Sequence, residues 1–261
     1  MNSFRNMLLA GIAALATMGT AAEAATLVAL TSDSRLVRID SATRRASAPV
    51  RITGAAGAVV GIDQRPQDGR LYGVTDSGQI VMIDPATGRA TRVSQLNTAF
   101  QPAGRAIVDF NPVANRLRVM GLDGQNLRVN VETGEAVVDG RLKNAPGPTQ
   151  DAAPRVLAGA YTNSQPGATA TMLLTLDAAA NALNVQNPPN DGVQARRAAL
   201  SMPLPTAFAF DILAEGTANT GFVFSSGALH TLNLESGAMA TLGPVMNLPR
   251  GAEVIDIAAM R

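Results

Sequence analysis

Five stretches of the chain repeat one short pattern: apolar residues, an Asp or Asn, two or three turn residues, and usually a Gly. They are Ile39–Arg44, Ile83–Gly88, Val129–Gly134, Asn187–Gly192 and Leu232–Gly237. Their last positions, 44, 88, 134, 192 and 237, are spaced by 44, 46, 58 and 45 residues. A period in this range is the signature of stacked β modules, and a four-stranded propeller blade matches it best. Strand signals surround each turn. In the second unit, strands are predicted over 58–63, 70–75, 79–83 and 90–96; the third unit repeats the order over 106–110, 116–120, 126–129 and 136–138. The fifth runs over 207–212, 221–224, 228–232 and 238–242.

The first unit begins at Thr26–Leu30, which matches second strands elsewhere, so its innermost strand is missing. The segment 253–258 matches innermost strands and has no successor. The expected architecture is therefore all-β: a five-bladed β-propeller closed by its C-terminal strand, which completes the N-terminal blade and leaves neither edge open. The fourth unit departs from the others. Its incoming connection, 145–151, and its loop 163–168 are both longer, and long loops on a rigid scaffold are where binding residues concentrate.

The first 24 residues fall outside this scheme. Arg5 precedes an apolar run from Met7 to Met18, and Ala22-Glu23-Ala24 has the form of a cleavage site. Residues 1–24 are expected to be a signal peptide and 25–261 a single domain, secreted or periplasmic, with no membrane span after cleavage. The chain has no Cys, which excludes disulfides and thiolate metal sites. With 21 basic and 20 acidic residues, it lacks the clustered positive charge that nucleic acid requires. Aromatics make up 3% and Trp is absent, which argues against a stacking platform for sugars. A monomer is expected.

Candidate chemistry falls on two sets of residues. His230, the only His, stands where sister units have Val81 or Leu127, and is expected to be a core residue; a Ser-His-Asp hydrolase would then have no base. Asp63, Asp109, Asp211 and Asp256 recur at one place in four innermost strands, with Ala160 in the fourth unit. Innermost strands line a channel, so these carboxylates could gather as calcium ligands. The preferred alternative has each Asp accepting backbone N–H bonds within its own blade. The second set lies on the third and fourth units: Asn111, Arg118, Asn126, Arg128, Tyr161, Asn163, Asn187, Asn190 and Asp191. Two Arg forks beside amides suit a small anionic ligand; the competing reading is an inter-blade ion-pair network with Glu132 or an inner Asp.

Several strings together resemble a bacterial domain-of-unknown-function family, number 4394: Gly61-Ile62-Asp63-Gln64-Arg65-Pro66, Asp109-Phe110-Asn111-Pro112-Val113, Gly124-Gln125-Asn126-Leu127-Arg128, Ala160-Tyr161-Thr162-Asn163 and Gln186 through Gly192. The resemblance implies a secreted β-propeller-like domain and brings no catalytic residues with it. The functions to weigh are a non-catalytic module binding a small ligand or an envelope or extracellular protein, a calcium-dependent hydrolase of the lactonase type using the channel carboxylates, and a purely structural partner of an envelope protein.

Overall fold

A computed structural model describes residues 24–251 and 253–261; the expected signal peptide lies almost wholly outside them. Five sheets, antiparallel apart from one short outer strand, follow one another around a hub. Blade 1 consists of Val254–Met260, Thr26–Thr31, Arg35–Asp40 and Val50–Arg51, from inside to outside. The C-terminal strand thus pairs with the N-terminal one, with Val28 opposite Ala258 and Leu30 opposite Asp256. Blade 2 runs Val59–Gln64, Leu71–Thr75, Gln79–Ile83 and Ala90–Gln95; blade 3 runs Ala106–Asn111, Arg116–Gly121, Asn126–Val129 and Ala136–Val138. Blade 5 runs Phe208–Glu215, Ala218–Ser225, Ala228–Leu232 and Met239–Pro244. Blade 4 has the usual four, Val156–Tyr161, Leu173–Asp177, Ala182–Gln186 and Val193–Ala199. It also carries a fifth, outermost strand, Lys143–Asn144, which pairs in parallel with Val193 and Gln194. The sequence pattern shows the long connection here but not this strand, which is too short to have a periodicity.

The repeated turn motif has a local cause. In blades 1, 2, 3 and 5 the Asp or Asn side chain accepts backbone N–H groups two or three residues on: Asp40 from Thr43, Asp84 from Ala86, Asn130 from Glu132, and Asn233 from Glu235 and Ser236. This Asx turn forces the fifth residue into the left-handed region, where Gly is favoured. Gly88, Gly134 and Gly237 have φ of 73°, 78° and 72°, and Arg44 tolerates 54°. Blade 4 builds the turn differently, from a 3-10 turn over Pro189–Asp191 ending at Gly192.

The same residue does a second job. Its carbonyl accepts an N–H from the chain just beyond the outer strand of the preceding blade: Gly88 from Thr53, Gly134 from Asn97, Gly192 from Lys143, Gly237 from Ser201, and Arg44 from Met246, at 2.8–3.1 Å. At the seam between blades 3 and 4 the donor Lys143 belongs to the short strand that the chain leaving blade 3 adds to the edge of blade 4, and the Gly140 N–H bonds the Asn190 carbonyl beside it (2.8 Å). The approach is close: a Cβ on Gly134 would lie 1.8 Å from the Gln95 carbonyl oxygen, and one on Gly88 2.2 Å from that of Arg51.

Between the blades lie five apolar clusters, one per seam. The third strands contribute as their alternation predicts, with Val81, Ile83, Leu127, Val129, His230 and Leu232 all buried. Four clusters are large. The one between blades 3 and 4 has only Ile107, Met120, Val156, Tyr161 and Leu173 as fully buried members.

Replacing Gly134 with Ala should therefore cost about 2–4 kcal/mol, because backbone strain adds to a clash with a fixed carbonyl. Gly104 also has positive φ (90°) but faces open space, so Gly104→Ala is the control for strain alone. Urea denaturation of both variants should show at least twice the loss for Gly134→Ala; equal losses would remove the packing role of the turn.

Candidate functional site

The hub is lined by the four repeated Asp residues, all buried. Each carboxylate reaches across to the next blade. Asp256 accepts from the Ile62 N–H (2.8 Å), Asp63 from Phe110 (2.7 Å), Asp109 from Tyr161 (2.9 Å) and Asp211 from Ala259 (2.6 Å). Asp63, Asp211 and Asp256 also accept the N–H of the residue that follows each of them. The expectation of own-blade backbone bonds thus holds for three of the four, and is corrected in that all four also bind the next blade and Asp109 binds only there.

Four of the five seams are closed this way. The fifth, between blades 4 and 5, has Ala160 where the Asp would be. There Arg105, from blade 3, extends across the hub and donates one terminal nitrogen to the carbonyls of Leu157 (2.8 Å, blade 4) and Phe208 (2.6 Å, blade 5). Its Nε is buried without a partner among the described residues, and burial lowers the pKa of the guanidinium.

Carboxylate oxygens of Asp63, Asp109 and Asp211 lie within 4.8 Å of one another. Burial is the main force on all four hub carboxyls. It raises Asp63, Asp109 and Asp256 well above the usual range, and like charges add to this at Asp63 and Asp109. Asp211 is pushed up to about 7, moderated by its backbone bonds and by a hydrogen bond from Asp109. Two readings of this trio are chemically consistent. It can share protons, with Asp109 donating to Asp211, or it can supply oxygen ligands to a hard cation. Asp256 stands outside the trio.

The polar set on blades 3 and 4 assembles in part. Arg118, 2% exposed, donates to Tyr161 Oη (3.2 Å), Asn126 Oδ1 (2.8 Å), Asn190 Oδ1 (3.0 Å) and Asp139 Oδ2 (2.6 Å). Arg128 grips Asp139 with two bonds, at 2.7 and 2.9 Å. Asn126 donates to the carbonyls of Gly140 and Pro189. The carboxylate between the two Arg forks is thus supplied by the chain itself. It comes from Asp139 rather than from Glu132, which pairs with Arg65. Asp139 sits one residue beyond the fourth strand, where strand patterning carries no signal. This network fills the seam whose apolar cluster is smallest.

The other four residues of that set lie elsewhere. Asn111 caps its own turn, accepting from Val113 and Ala114. Asn163 pairs with Asn219 across blades 4 and 5. Asn187 and Asp191 are exposed in the blade 4 turn. His230 is buried in blade 5, its Nδ1 3.0 Å from Thr241 Oγ1, and burial lowers its pKa.

A third site was not visible in the sequence. The extra strand and the segment after it stand over blade 4 and enclose a cleft of about 490 Å³. Asn144 holds the segment in shape by donating to the carbonyls of Thr149 and Ala152. The polar lining includes Asp177 (1% exposed), Asn184 (3%), Gln194 (3%) and Arg196, among small Ala and Pro side chains. Gln194 is satisfied by Thr175 and Gln186. The others are not. Asp177 Oδ1 accepts three backbone N–H groups while Oδ2 accepts none among the described residues. The amide of Asn184 and the guanidinium of Arg196 likewise have no side-chain partner among them. Arg196 is directly opposite Asn184, and the register shifts beside that pair, a bulge of the kind common next to binding sites. A second cavity, about 390 Å³ beside Leu71, Met82 and Met260, is mainly apolar.

The fold and these sites define an all-β, five-bladed propeller with a closed ring and a carboxylate hub. The chain belongs to the family described as "Domain of unknown function (DUF4394)", whose model matches residues 35–258. It is similar to a solved protein of unknown function from Bacteroides thetaiotaomicron VPI-5482 (16% identity, TM-score 0.53), covering 91% of this chain and 62% of that one. The chain therefore spans less than two thirds of that protein, and the likeness extends to the fold alone. A protein of unknown function from Bacteroides caccae is also 16% identical, with TM-score 0.43 and coverage of 87% and 75%. No curated protein matches.

Two outcomes are expected. Asp211 titrates near 3.8 when unfolded and at about 7 when folded, and burial raises the other three hub carboxyls in the same direction, so above the unfolded value the folded state holds more protons. Stability should be greatest below about pH 4 for these groups and fall as pH rises through 7, by on the order of 4 kcal/mol for Asp211 alone. Asp109→Asn mimics the protonated carboxyl, keeping the Tyr161 bond and the donor to Asp211. It should flatten that fall in thermal scans from pH 5 to 8; an unchanged slope would rule out the shared protons. Arg118→Ala leaves Asp139 buried with one partner and should cost about 3–5 kcal/mol in urea denaturation. The exposed neighbour Arg116→Ala should stay within about 0.5 kcal/mol of the parent.

Proposed function

We propose that this domain is a non-catalytic binding module, exported beyond the cytoplasmic membrane, whose ligand sits in the blade 4 cleft. One observation carries the reading: Asp177 Oδ2, the Asn184 amide and the Arg196 guanidinium all line the same cleft without partners among the described residues. Asp177 and Asn184 are buried side chains whose free polar atoms still open onto the cleft, and Arg196 stands exposed at its edge, so all three are available to a ligand that takes the place of water. A concave site with a few converging polar groups is the usual form of a ligand pocket. The Arg118–Asp139 network supports this role by fixing the Asn190 turn, and Gln186 and Gln194 extend the same run of hydrogen bonds from Pro189 to the cleft floor.

The test is side-chain amide NMR on ¹⁵N-labelled protein titrated with a mixture of small polar metabolites. The Asn184 Nδ2 resonances should shift, and Ala180→Trp, which fills the cleft from its exposed rim, should abolish the response. Shifts confined to other surfaces would defeat the proposal.

A second reading keeps the channel trio as a calcium site of a hydrolase, favoured by the 4.8 Å grouping of Asp63, Asp109 and Asp211. It needs those carboxylates ionised, and burial, which raises their pKa, works against that. Millimolar calcium at pH 8 raising the thermal midpoint by several degrees, with loss of the effect in Asp63→Asn, would favour it over the first.

A further inference from the structure

Resting on the cleft assignment above, we infer that the blade 4 cleft selects a small zwitterion, a primary ammonium and a carboxylate on one short skeleton, as in an α-amino acid. The argument starts from two opposite charges that do not meet. Asp177 and Arg196 line one cavity, yet no ion pair joins them. Opposite charges at the edge of a partly dry cleft attract strongly enough to close on each other where geometry allows. Here the sheet prevents it.

Asp177 ends one strand and is pinned there by the N–H groups of Arg155, Ala179 and Ala180, all on Oδ1. Arg196 stands two strands away, with Asn184 on the strand between them. Neighbouring strands are about 4.8 Å apart, so the two backbones are separated by roughly 10 Å across the sheet, before an offset of two residues along it. The cleft thus presents an acceptor with negative charge, then an amide able to donate or accept, then a planar donor fork with positive charge.

Each end specifies its half of the ligand. Asp177 Oδ2 has a free lone pair for an N–H donor, which an ammonium supplies together with the opposite charge. The Arg196 fork matches a carboxylate with two parallel bonds. Asn184 can bond to either group. The walls, among them Ala145, Ala152, Ala179 and Ala182, leave room for a short side chain. No aromatic ring lines the cleft, so a quaternary ammonium has no π face to rest on and a sugar has no stacking platform. A single-charge ligand would leave one end of the row unmatched.

Calorimetric and NMR titrations of the whole domain with glycine and L-alanine test this, against propionate (anion only), ethylamine (cation only) and trimethylglycine (zwitterion without N–H). Glycine or alanine should bind at least tenfold more tightly than each of the three controls, with shifts centred on Asn184. Arg196→Gln, at an exposed position, should lower that affinity at least tenfold without moving the thermal midpoint. Asp177→Asn should do the same to affinity, and if it also lowers the midpoint, the Arg196 variant decides alone. Propionate or ethylamine binding at Asn184 as tightly as the amino acids would overturn the zwitterion and leave the cleft standing. Trimethylglycine matching glycine would overturn the ammonium contact. An Asn184 resonance that no probe moves would overturn both the zwitterion and the cleft.

Discussion

The structure depends on backbone hydrogen bonds that cross from each blade to the next. Every seam carries one at the rim, from the chain beyond an outer strand to the adjacent turn. Every seam also carries a polar contact at the hub, four through Asp and one through Arg105. Apolar clusters between the blades supply most of the driving force, but they are not directional. The rim and hub bonds fix how far each sheet is rotated against its neighbour, and therefore that five sheets close the circle.

This arrangement explains why charge is buried so freely in a chain with few aromatics. At the hub, innermost strands converge and leave little room for large side chains, so a short carboxyl that satisfies a neighbour's N–H fits where Leu or Phe does not. Desolvation raises the pKa of these carboxyls, which eases their burial by favouring the uncharged form. Between blades 3 and 4 the solution is different. The apolar cluster is small, and a fully engaged Arg118 occupies the volume instead, its charge met by Asp139. Breaking such a pair is costly even where its net contribution is small, so it acts chiefly to specify geometry.

What the sequence made legible is what local chemistry determines. The Asx side chain and the residue with positive φ belong to one turn, so their spacing exposed the repeat, and the third strands flanked by two such turns were bounded to the residue at 79–83, 126–129 and 228–232. The split first blade followed from the same registry. What stayed hidden depends on neighbours far apart in the chain. Nothing local marks Arg105 as the substitute for the Asp missing at Ala160. Asp139 lies past the end of a three-residue strand. Asp177, Asn184 and Arg196 meet only because three strands pair in one register, with a bulge, under a two-residue strand that no pattern announces.

The closing strand has a consequence for how the protein is made. Thr26–Thr31 finds its inner partner only in Val254–Met260, with all the intervening blades lying between them in the chain. Synthesis proceeds from the other end, so the first sheet must wait with a bare edge while the rest emerges. A chain interrupted anywhere before that point lacks the piece that completes its first sheet. Ring closure therefore acts as an inspection for completeness, and any chaperone that serves this fold has one particular edge to guard.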